Sequence, residues 1–311
     1  MKNQLKELVV ISGKGGTGKT SIVASFAALA EKAVLADCDV DAADLHLVLD
    51  PTVVKREKFS GGSRAQIKTG DCTACGKCGQ LCRFDAIYFD GPGNEKVDKT
   101  YRVDPVNCEG CGVCAWFCPA DAIEFGPVVN GEWFVSDTRY GPLVHAKLGV
   151  AEENSGKLVS TVRTQAKKIA EDRNLETILI DGSPGIGCPV IASITGADLV
   201  LIVTEPTLSG LHDLKRVADL TKHFGIEALV CINKWDLNES IASQIESQAV
   251  QRHLKLAGKV RYDRAVTKAQ IEKLSVVEYT SNGIAGDIRK LWANILKRIT
   301  PPDYSPTKKR S

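Results

Sequence analysis

The sequence carries almost no net charge, because 40 lysines and arginines face 38 aspartates and glutamates and leave a formal charge of +2. No run approaches about 18 consecutive apolar residues, the length that a membrane-spanning helix needs. Residues 1–6 lack the charged start and apolar stretch of a secretory signal peptide. These absences exclude bulk attraction to nucleic acid or to an anionic membrane. They predict a cytoplasmic protein with no nucleic-acid partner and no membrane partner.

Short apolar segments that alternate with helical patterns indicate the fold class. Strand-like segments lie at 8–11, 33–37, 177–181, 199–203 and 228–232, separated in the second half by helical patterns. Such alternation predicts an α/β fold with a mostly parallel sheet flanked by helices. The alternation stops in the middle of the chain. The predicted domains are one α/β domain in two pieces, 1–59 and 128–300, a small insert at 60–127, and a flexible tail at 301–311.

A glycine-rich loop follows the first strand and precedes a helical segment. Gly13 and Gly18, followed by Lys19 and Thr20, fit the phosphate-loop pattern GxxxxGK[ST]. In that pattern, backbone N–H groups and a helix N-terminus surround a phosphate. We expect Lys19 to reach the β- and γ-phosphates and the Thr20 hydroxyl to bind Mg²⁺. The predicted nucleotide-binding residues of the loop are Gly13, Gly15, Gly16, Thr17, Gly18, Lys19, Thr20 and Ser21.

Eight of the 11 cysteines occur in two runs inside the insert. Residues 72–87 and 108–123 align at an offset of 36, with 8 of 16 positions identical. Both runs have the spacing of bacterial two-cluster ferredoxins, in which the last cysteine of one run binds the cluster of the other. This spacing assigns Cys72, Cys75, Cys78 and Cys118 to a first 4Fe–4S cluster, and Cys108, Cys111, Cys114 and Cys82 to a second. Zinc is the alternative, although a zinc ribbon needs paired knuckles and four ligands in all.

The stretch from Lys14 to Thr20, Lys-Gly-Gly-Thr-Gly-Lys-Thr, resembles the deviant Walker A motif of the MinD, Mrp and nitrogenase iron protein ATPases. The resemblance implies a P-loop NTPase that hydrolyses ATP. It further implies that Lys14 crosses a dimer interface to the partner's nucleotide, and that Asp39 orients or deprotonates the attacking water. The catalytic residues implied are therefore Lys14, Lys19 and Asp39, and the Mg²⁺ site implied consists of Thr20, Asp39 and Asp181.

The segment Asn233-Lys234-Trp235-Asp236 follows the last of the apolar strands. It formally matches the guanine-reading Asn-Lys-x-Asp of GTPases. The ATPases that the loop resembles also carry Asn-Lys at this place, with the asparagine binding adenine. Lys14 and the two segments that resemble the family's switches, at Asp39 and at Asp181, favour ATP or ADP, with Asn233 and Lys234 at the nucleotide.

A deviant Walker A loop and two ferredoxin motifs in one chain resemble the MinD-superfamily ATPases with an inserted, bacterial-ferredoxin-like α+β domain. The resemblance implies two 4Fe–4S clusters, ATP or ADP and Mg²⁺ as cofactors. It also implies a homodimer, or a heterodimer with a paralogous ATPase, in which ATP hydrolysis gates electron transfer to a redox partner protein. An iron–sulfur or metallocluster carrier or assembly ATPase is the alternative, and spatial positioning, as for MinD itself, is a third reading.

Two features of the sequence leave alternatives open. Cys188 is either a ligand of a cluster that bridges two subunits, as in the nitrogenase iron protein, or a buried apolar residue. The segment from His145 to Lys157 either transmits the nucleotide state to the insert or is an ordinary helix start. Cys38 and Cys231 are expected in the core.

Overall fold

The computed structural model describes residues 5–149 and 155–299, which belong to two compact units. The first unit contains residues 5–56, 133–147 and 155–299, and the second contains residues 57–132 and 148–149. The tail at 301–311 and residues 150–154 of the His145 to Lys157 segment lie outside the described residues. Within the described ranges, no helix is both long and apolar enough to span a bilayer.

The secondary structure alternates in the first unit and is short and irregular in the second. The strands are β1 (Lys6–Ser12), β2 (Ala33–Asp37), β3 (Thr52–Phe59), β4 (Gly62–Ile67), β5 (Ile87–Gly91), β6 (Thr100–Val103), β7 (Ile123–Val128), β8 (Gly131–Thr138), β9 (Gly141–Leu148), β10 (Thr177–Pro184), β11 (Leu199–Thr204), β12 (Ala228–Asn233) and β13 (Lys255–Val260). The α-helices are α1 (Lys19–Leu29), α2 (Leu45–Leu49), α3 (Lys77–Leu81), α4 (Val113–Trp116), α5 (Ser155–Asp172), α6 (Cys188–Ile194), α7 (Leu208–His223), α8 (Glu239–Gln251), α9 (Ala265–Ile271), α10 (Val276–Tyr279) and α11 (Ile284–Ile299). A single 3₁₀ turn, Trp235–Leu237, precedes α8.

The first unit is built on a large sheet with the strand order β13-β12-β11-β1-β10-β2-β9, continued by β8 and β3. Each pairing from β13 to β9 is parallel. The strands β2, β11 and β12 are buried along their whole length, as expected for a parallel sheet covered by helices. The predicted α/β fold, with a large and mostly parallel sheet flanked by helices, is confirmed.

The strand order brings the sequence motifs to one edge of this sheet. Asp181 on β10 is in register with Val10 on β1 and with Asp37 on β2. The carboxyl ends of these three parallel strands therefore lie side by side. In open parallel sheets, ligands bind beyond the carboxyl ends of the strands, where the strand order reverses. This edge is the expected place for the site.

Helix α11 fixes the helix that begins at the glycine-rich loop. Its apolar stripe includes Ile288, Leu291 and Trp292, which are all buried in the core that α1 also joins. The rings of Phe26 on α1 and Trp292 pack with centroids 4.9 Å apart. Because α1 is held along its length, the loop at its N-terminus has a rigid support.

The second unit consists of two antiparallel pairs, β4–β7 and β5–β6, and the short helices α3 and α4. The two copies of the sequence repeat have the same backbone conformation. Gly76 and Gly112, which precede α3 and α4, have φ angles of 78° and 74°. Asp85 and Asp121, also equivalent at the offset of 36, have φ angles of 50° and 49°. The repeat is therefore a structural one as well.

Candidate functional site

The glycine-rich loop lies between β1 and α1, beyond the carboxyl end of the sheet. Gly16 and Gly18 have φ angles of 78° and 91°, in the left-handed region that favours glycine. Helix α1 begins at Lys19, so the N–H groups of its first turn are not bonded within the helix. The loop and helix start, residues 13–21, therefore present backbone donors and a helix N-terminus in the arrangement that binds phosphate.

Lys19 lies between two of the other predicted site residues. Its Nζ is 3.3 Å from Asp39 Oδ2 and 3.9 Å from Asp181 Oδ1, and only 6% of its side chain is exposed. Burial lowers the pKa of Lys19, but the charges of Asp181 and Asp39 outweigh it, and the net pKa is raised. The three residues form a compact group with a permanently charged amine at its centre.

Asp181 is fully buried, and neither of its carboxylate oxygens has a hydrogen-bond partner. Burial raises the pKa of Asp181 to about 6, an effect that Lys19 offsets only in part. Buried oxygens without a partner fit a hard cation, because Mg²⁺ takes oxygen ligands and is usually held by one or two carboxylates together with phosphates. Thr20, the third residue of the predicted Mg²⁺ site, lines an open cleft together with Lys19 and Asp39.

The protein side chains alone nevertheless do not supply a complete set of ligands for Mg²⁺, and a bound nucleotide would have to supply the others. Among the described residues, no three side chains of His, Cys, Asp or Glu converge closely enough to hold one metal ion. Asp37 is also buried here, and burial raises its pKa well above the ordinary value, but its oxygens accept hydrogen bonds from the N–H groups of Asp39 and Leu45. Asp37 therefore shapes the loop that carries Asp39.

Asn233 connects the end of β12 to the phosphate loop. Its Nδ2 donates to the carbonyl oxygen of Thr17 at 2.7 Å, and its Oδ1 accepts from the N–H of Lys234 at 3.0 Å. A Cβ on Gly18 would lie 2.4 Å from Asn233 Nδ2, so this close approach requires glycine. Asn233, predicted to bind adenine, is in this structure a support of the loop with both ends of its amide engaged.

An open cleft extends from the phosphate loop past Asn233. Its far wall is formed by Arg261, Tyr262 and Asp263, which sequence reasoning did not single out. These residues directly follow β13, and Asn233 is the last residue of β12. Their position at the carboxyl end of a strand is the feature of the sequence that could have identified them. The wall is held by Asp236, whose Oδ1 accepts from the N–H of Tyr262 at 2.7 Å.

Lys14 is turned toward the start of α7 and away from the cleft. Its Nζ lies 2.5 Å from Glu205 Oε1 and donates to Ser209 Oγ at 3.0 Å. Glu205 Oε2 is also 3.3 Å from the Nζ of Lys234, so one carboxylate holds two cations that flank the loop. Burial raises the pKa of Glu205, but the hydrogen bond from Lys14 and the charge of Lys234 outweigh it and lower the pKa. Sequence reasoning missed Glu205, which directly follows β11.

The eight clustered cysteines of the second unit line two separate cavities. The first cavity is lined by Cys72, Cys75, Cys78 and Cys118. The second is lined by Cys82, Cys108, Cys111 and Cys114. Each cavity thus brings together three cysteines of one run and the last cysteine of the other. The remaining walls are mostly apolar, including Ile67 and Tyr101 in the first and Ile87 and Val103 in the second.

The cysteines in these cavities differ in their surroundings. Cys75 and Cys111 are exposed, whereas Cys72 and Cys114 are buried. Burial raises the pKa of Cys78 to about 11 and also raises that of Cys114. Backbone N–H groups of Ala74 and Ala122 donate to the sulfurs of Cys72 and Cys118, at 3.4 and 3.3 Å, as is common for sulfurs that carry negative charge.

The remaining sequence features fall outside both sites. Cys188 is exposed at the first position of α6. The alternative that Cys188 is a buried apolar residue is therefore wrong. His145 is buried on β9, hydrogen-bonded to Ser136 Oγ at 2.9 Å and stacked between His46 and Phe134. Burial lowers the pKa of His145 to about 4, so it is a neutral packing residue.

The other two cysteines are core residues. Cys38 and Cys231 are completely buried, and burial raises the pKa of Cys231 to about 12. Neither lines a cysteine cavity. Both therefore have the inert, apolar role that the sequence predicts for them.

Residues 8–276, most of the chain, match the CobQ/CobB/MinD/ParA nucleotide binding domain. The chain belongs to this family. An uncharacterized protein of Methanocaldococcus jannaschii, MJ0578, is 33% identical over 301 residues, which are 95% of this chain and 98% of the relative. Membership makes the chain a nucleotide-binding protein of the MinD/ParA type, a family that includes ATPases.

Solved structures of this family have the same fold. The cell division ATPase MinD of Pyrococcus furiosus matches 96% of this chain and 99% of its own, with a TM-score of 0.54 and 19% identity. MinD of Pyrococcus horikoshii in complex with Mg-ADP matches 94% of this chain and 96% of its own, with a TM-score of 0.54 and 17% identity. At such identity, the likeness establishes the MinD fold alone.

Proposed function

We propose that this protein is an ATP-hydrolysing iron–sulfur protein, in which a nucleotide-driven dimer switch controls electron transfer through two 4Fe–4S clusters to a partner protein. The first unit is the P-loop ATPase domain and the second is the ferredoxin-like domain. The observation that carries the proposal is the pair of cavities, each lined by four cysteines, in a chain of an ATPase family.

The nucleotide half of the proposal rests on the group formed by Lys19, Asp39 and Asp181. Before nucleotide binds, Lys19 is neutralised by the two carboxylates. A triphosphate competes for Lys19, because phosphate oxygens carry more charge than one carboxylate. Asp39 is then released from its ion pair and is free to orient or deprotonate the attacking water. Asp181 and the Thr20 hydroxyl would hold Mg²⁺, which when bound would neutralise charge on the phosphates.

Lys14 adds a dimer to this scheme. Its ion pair with Glu205 keeps the amine away from the phosphate-binding position of its own chain. In a dimer closed by ATP, Lys14 leaves Glu205 and reaches the nucleotide of the partner subunit, where a cation stabilises the developing phosphoryl charge. The partner is a second copy of this chain or a paralogous ATPase.

The choice of ATP over GTP is supported by the surroundings of Asp236. A guanine-reading aspartate needs its carboxylate free to accept hydrogen bonds from the base. Asp236 instead accepts from the backbone of Tyr262 at 2.7 Å and holds the wall of the cleft. The formal Asn-Lys-x-Asp match is therefore explained by a structural role of its last residue.

The cysteine cavities fit 4Fe–4S clusters better than zinc. A zinc ion needs four ligands that meet at one point, with sulfurs about 2.3 Å from the metal. Within the described parts of the chain, no such convergent group exists at the cysteines, which instead surround two cavities. A cubane with four irons needs a cavity of this kind with one thiolate per iron. When bound, two such clusters supply one-electron transfer.

The coupling of the two halves follows from their presence in one chain. Electron transfer between ferredoxin-type clusters needs no ATP, so joining them to an ATPase implies that hydrolysis gates the transfer. A gate of this kind requires that the nucleotide state changes the free energy of reduction or the access of the partner.

The test is a pair of variants in the purified protein, with iron, sulfide and ATP hydrolysis measured on each. Lys19→Ala should lose ATP hydrolysis and keep about eight irons per chain, the content of two 4Fe–4S clusters. Cys75→Ser should lose iron and keep nucleotide binding. The surface variant Lys32→Ala serves as the control. Zinc in place of iron in the unmodified protein, or hydrolysis unchanged in Lys19→Ala, would contradict the proposal.

A second candidate function is favoured by the exposure of Cys75 and Cys111. One exposed ligand in each cavity is what an iron–sulfur carrier or assembly ATPase would use to release its cargo. Incubation of the loaded protein with an apo-ferredoxin distinguishes the two functions. Transfer of iron and sulfide to the acceptor, accelerated by ATP, would establish the carrier, whereas retained clusters favour electron transfer.

A further inference from the structure

The two copies of the cysteine repeat differ at positions that face outward. Equivalent positions lie 36 residues apart, so each residue of the second copy can be compared with its counterpart in the first. Polar and cationic residues of the first copy are replaced by acidic and apolar residues in the second. The replaced pairs are Thr73 and Glu109, Lys77 and Val113, and Gln80 and Trp116.

Val113 and Trp116, two of these replacements, join Phe84 of the first copy in an apolar face at the rim of the second cavity. We call it the Trp116 face and define it as Phe84, Val113 and Trp116. Phe84 and Val113 line that cavity and are 44% and 39% exposed. Trp116 lies three residues after Val113 on α4, so it shares a side of that helix, and 85% of it is exposed. Large aromatic residues are seldom so exposed unless they contact a partner, and tryptophan is enriched among residues that dominate binding.

The charges around the Trp116 face have one predominant sign. Between Val103 and Glu132, within the second unit, the sequence contains five carboxylates and no lysine or arginine. In the two segments that line the second cavity, 81–87 and 103–114, Asp85, Asp104 and Glu109 stand against Arg83. A second cation, Lys77, has its Nζ 5.8 Å from the ring centroid of Phe117, the residue after Trp116. Glu109 itself lines the cavity. Residues 57–102, which carry the first copy, contain both signs throughout.

We propose that the Trp116 face is the docking site of a redox protein with an apolar contact ringed by lysines or arginines, and that electrons pass between this partner and the second cavity. The inference rests on the proposed function and names the class of partner. An apolar centre with an acidic rim selects a basic partner, because opposite charges steer the encounter and the apolar centre supplies the affinity.

A second copy of this chain does not fit the same face. In a symmetric pair the same patch meets itself, which would bring Glu109 and its acidic neighbours of both copies together. Like charges brought together in this way oppose the contact. The face also borders the exposed Cys111, so a docked protein would approach the second cavity closely.

The residues of the first copy provide the test variant. Trp116→Gln gives α4 the residue that α3 carries at the equivalent position, so the fold should tolerate it, and Trp116 does not line the second cavity. Gln80→Ala, on the equivalent helix α3, is the matched control. The probes are cytochrome c, a basic one-electron acceptor protein, and ferricyanide, a small anion that needs no docking surface.

Two measurements are made on reduced protein whose iron content and paramagnetic resonance spectrum have been recorded. In the unmodified protein, the second-order rate of cytochrome c reduction should fall with rising ionic strength, as for oppositely charged partners. The Trp116→Gln variant should reduce cytochrome c at least about tenfold more slowly and bind it more weakly in calorimetry, the loss expected for one central aromatic anchor. Its rate with ferricyanide, its iron content and its spectrum should equal those of Gln80→Ala.

The outcomes distinguish failure of the proposed function from failure of the docking site. Absence of iron from the unmodified protein would overturn the proposed function and this inference with it. Intact clusters together with an unchanged cytochrome c rate in Trp116→Gln would overturn the docking site alone. A dimer of the unmodified protein that dissociates in Trp116→Gln would also overturn it, because the occupant would then be a second copy.

Discussion

The Nζ of Lys14 lies 2.5 Å from the Oε1 of Glu205, in the same chain. The lysine that is proposed to act on a partner's nucleotide is therefore held by a carboxylate of its own subunit. Glu205 also contacts Lys234, whose Nζ donates to the carbonyl oxygen of Gly16 at 3.1 Å. The ion pair opposes dimer closure, because free energy is needed to separate Lys14 from Glu205 before Lys14 can cross the interface.

Glu205→Gln should favour the ATP-bound dimer. The substitution keeps the shape of the side chain and removes the charge that holds Lys14. Because this ion pair is partly exposed, we expect the midpoint concentration for dimer formation with a non-hydrolysable ATP analogue to fall by roughly twofold to fivefold. Sedimentation measures the midpoint, and Glu227→Gln, at an exposed glutamate, is the control. An unchanged or higher midpoint, with ATP affinity preserved, contradicts this role of Glu205.

Gly13 and Gly15 provide a matched pair for the packing of the phosphate loop. A Cβ on Gly13 would lie 2.2 Å from the Cβ of Asp213 on α7, whereas one on Gly15 would meet no atom within 4 Å. Gly13→Ala should lower the free energy of unfolding by about 1–3 kcal/mol through overpacking. Gly15→Ala should change it by less than about 0.5 kcal/mol. Denaturant unfolding without nucleotide tests the difference, and equal effects of the two substitutions would show that α7 does not contact the loop.

The buried carboxylate of Asp181 should make the nucleotide-free protein less stable as the pH rises. Its pKa is raised from the ordinary 3.8 to about 6, so between these values the folded state binds more protons than the unfolded state. Stability from this group is therefore present at low pH and is lost as the pH rises from about 4 to 6, by on the order of 2 kcal/mol.

The measurement compares the unmodified protein with Asp181→Asn, since the difference removes the contributions of other groups. Asp181→Asn should be the more stable of the two above pH 6 without nucleotide, and should not hydrolyse ATP. The exposed Asp172→Asn is the control for loss of one charge. A stability difference that does not vary with pH would mean that Asp181 does not titrate in this range.

Asp236→Ala should weaken ATP binding without any gain for GTP. The substitution removes the acceptor for the N–H of Tyr262 and loosens one wall of the cleft, so we expect an affinity loss of roughly threefold to tenfold, the size of one hydrogen bond. Calorimetric titration with ATP and with GTP measures both affinities, and Glu239→Ala is the control. Tighter binding of GTP than of ATP by the unmodified protein, abolished in Asp236→Ala, would make Asp236 a guanine-reading residue.

The cross-run assignment of the cysteines predicts two matching pairs of variants. Cys118→Ser should affect the same paramagnetic signal as Cys75→Ser, because both residues line the first cavity. Cys82→Ser should match Cys108→Ser at the second cavity. Each variant should lower the iron content while the other signal remains, and Cys231→Ser, in the core, should change neither. Cys118→Ser matching Cys108→Ser would show that each run binds its own cluster.

The sequence predicted the residues whose chemistry is local. The phosphate loop is a continuous stretch between a strand and a helix, and Asp181 ends the apolar run of β10, so their convergence follows from the rules of parallel sheets. The cysteine repeat also has its own spacing, and the structure brings its two runs together around two cavities.

Contacts between distant parts of the chain were beyond sequence reasoning. Glu205 is not part of a motif, and nothing in its local sequence indicates that it pairs with a lysine of the glycine-rich loop. The strand β9 was also missed, because Gly141–Leu148 is flanked by turns and has no helix before it; its place beside β2 depends on register with Leu35 and Ala36. The role of Asp236 depends on Tyr262, which follows a different strand.

The reduction potentials of the clusters in different nucleotide states test the central claim most directly. The protein is titrated with no nucleotide, with ADP and with a non-hydrolysable ATP analogue, each with Mg²⁺. A coupling free energy of about 1 kcal/mol, at the low end of typical values, corresponds to roughly 40 mV for one electron. We expect at least one potential to differ by about that amount between the ATP-analogue and ADP states. Equal potentials and equal rates of electron transfer to a partner in all three states would contradict the account.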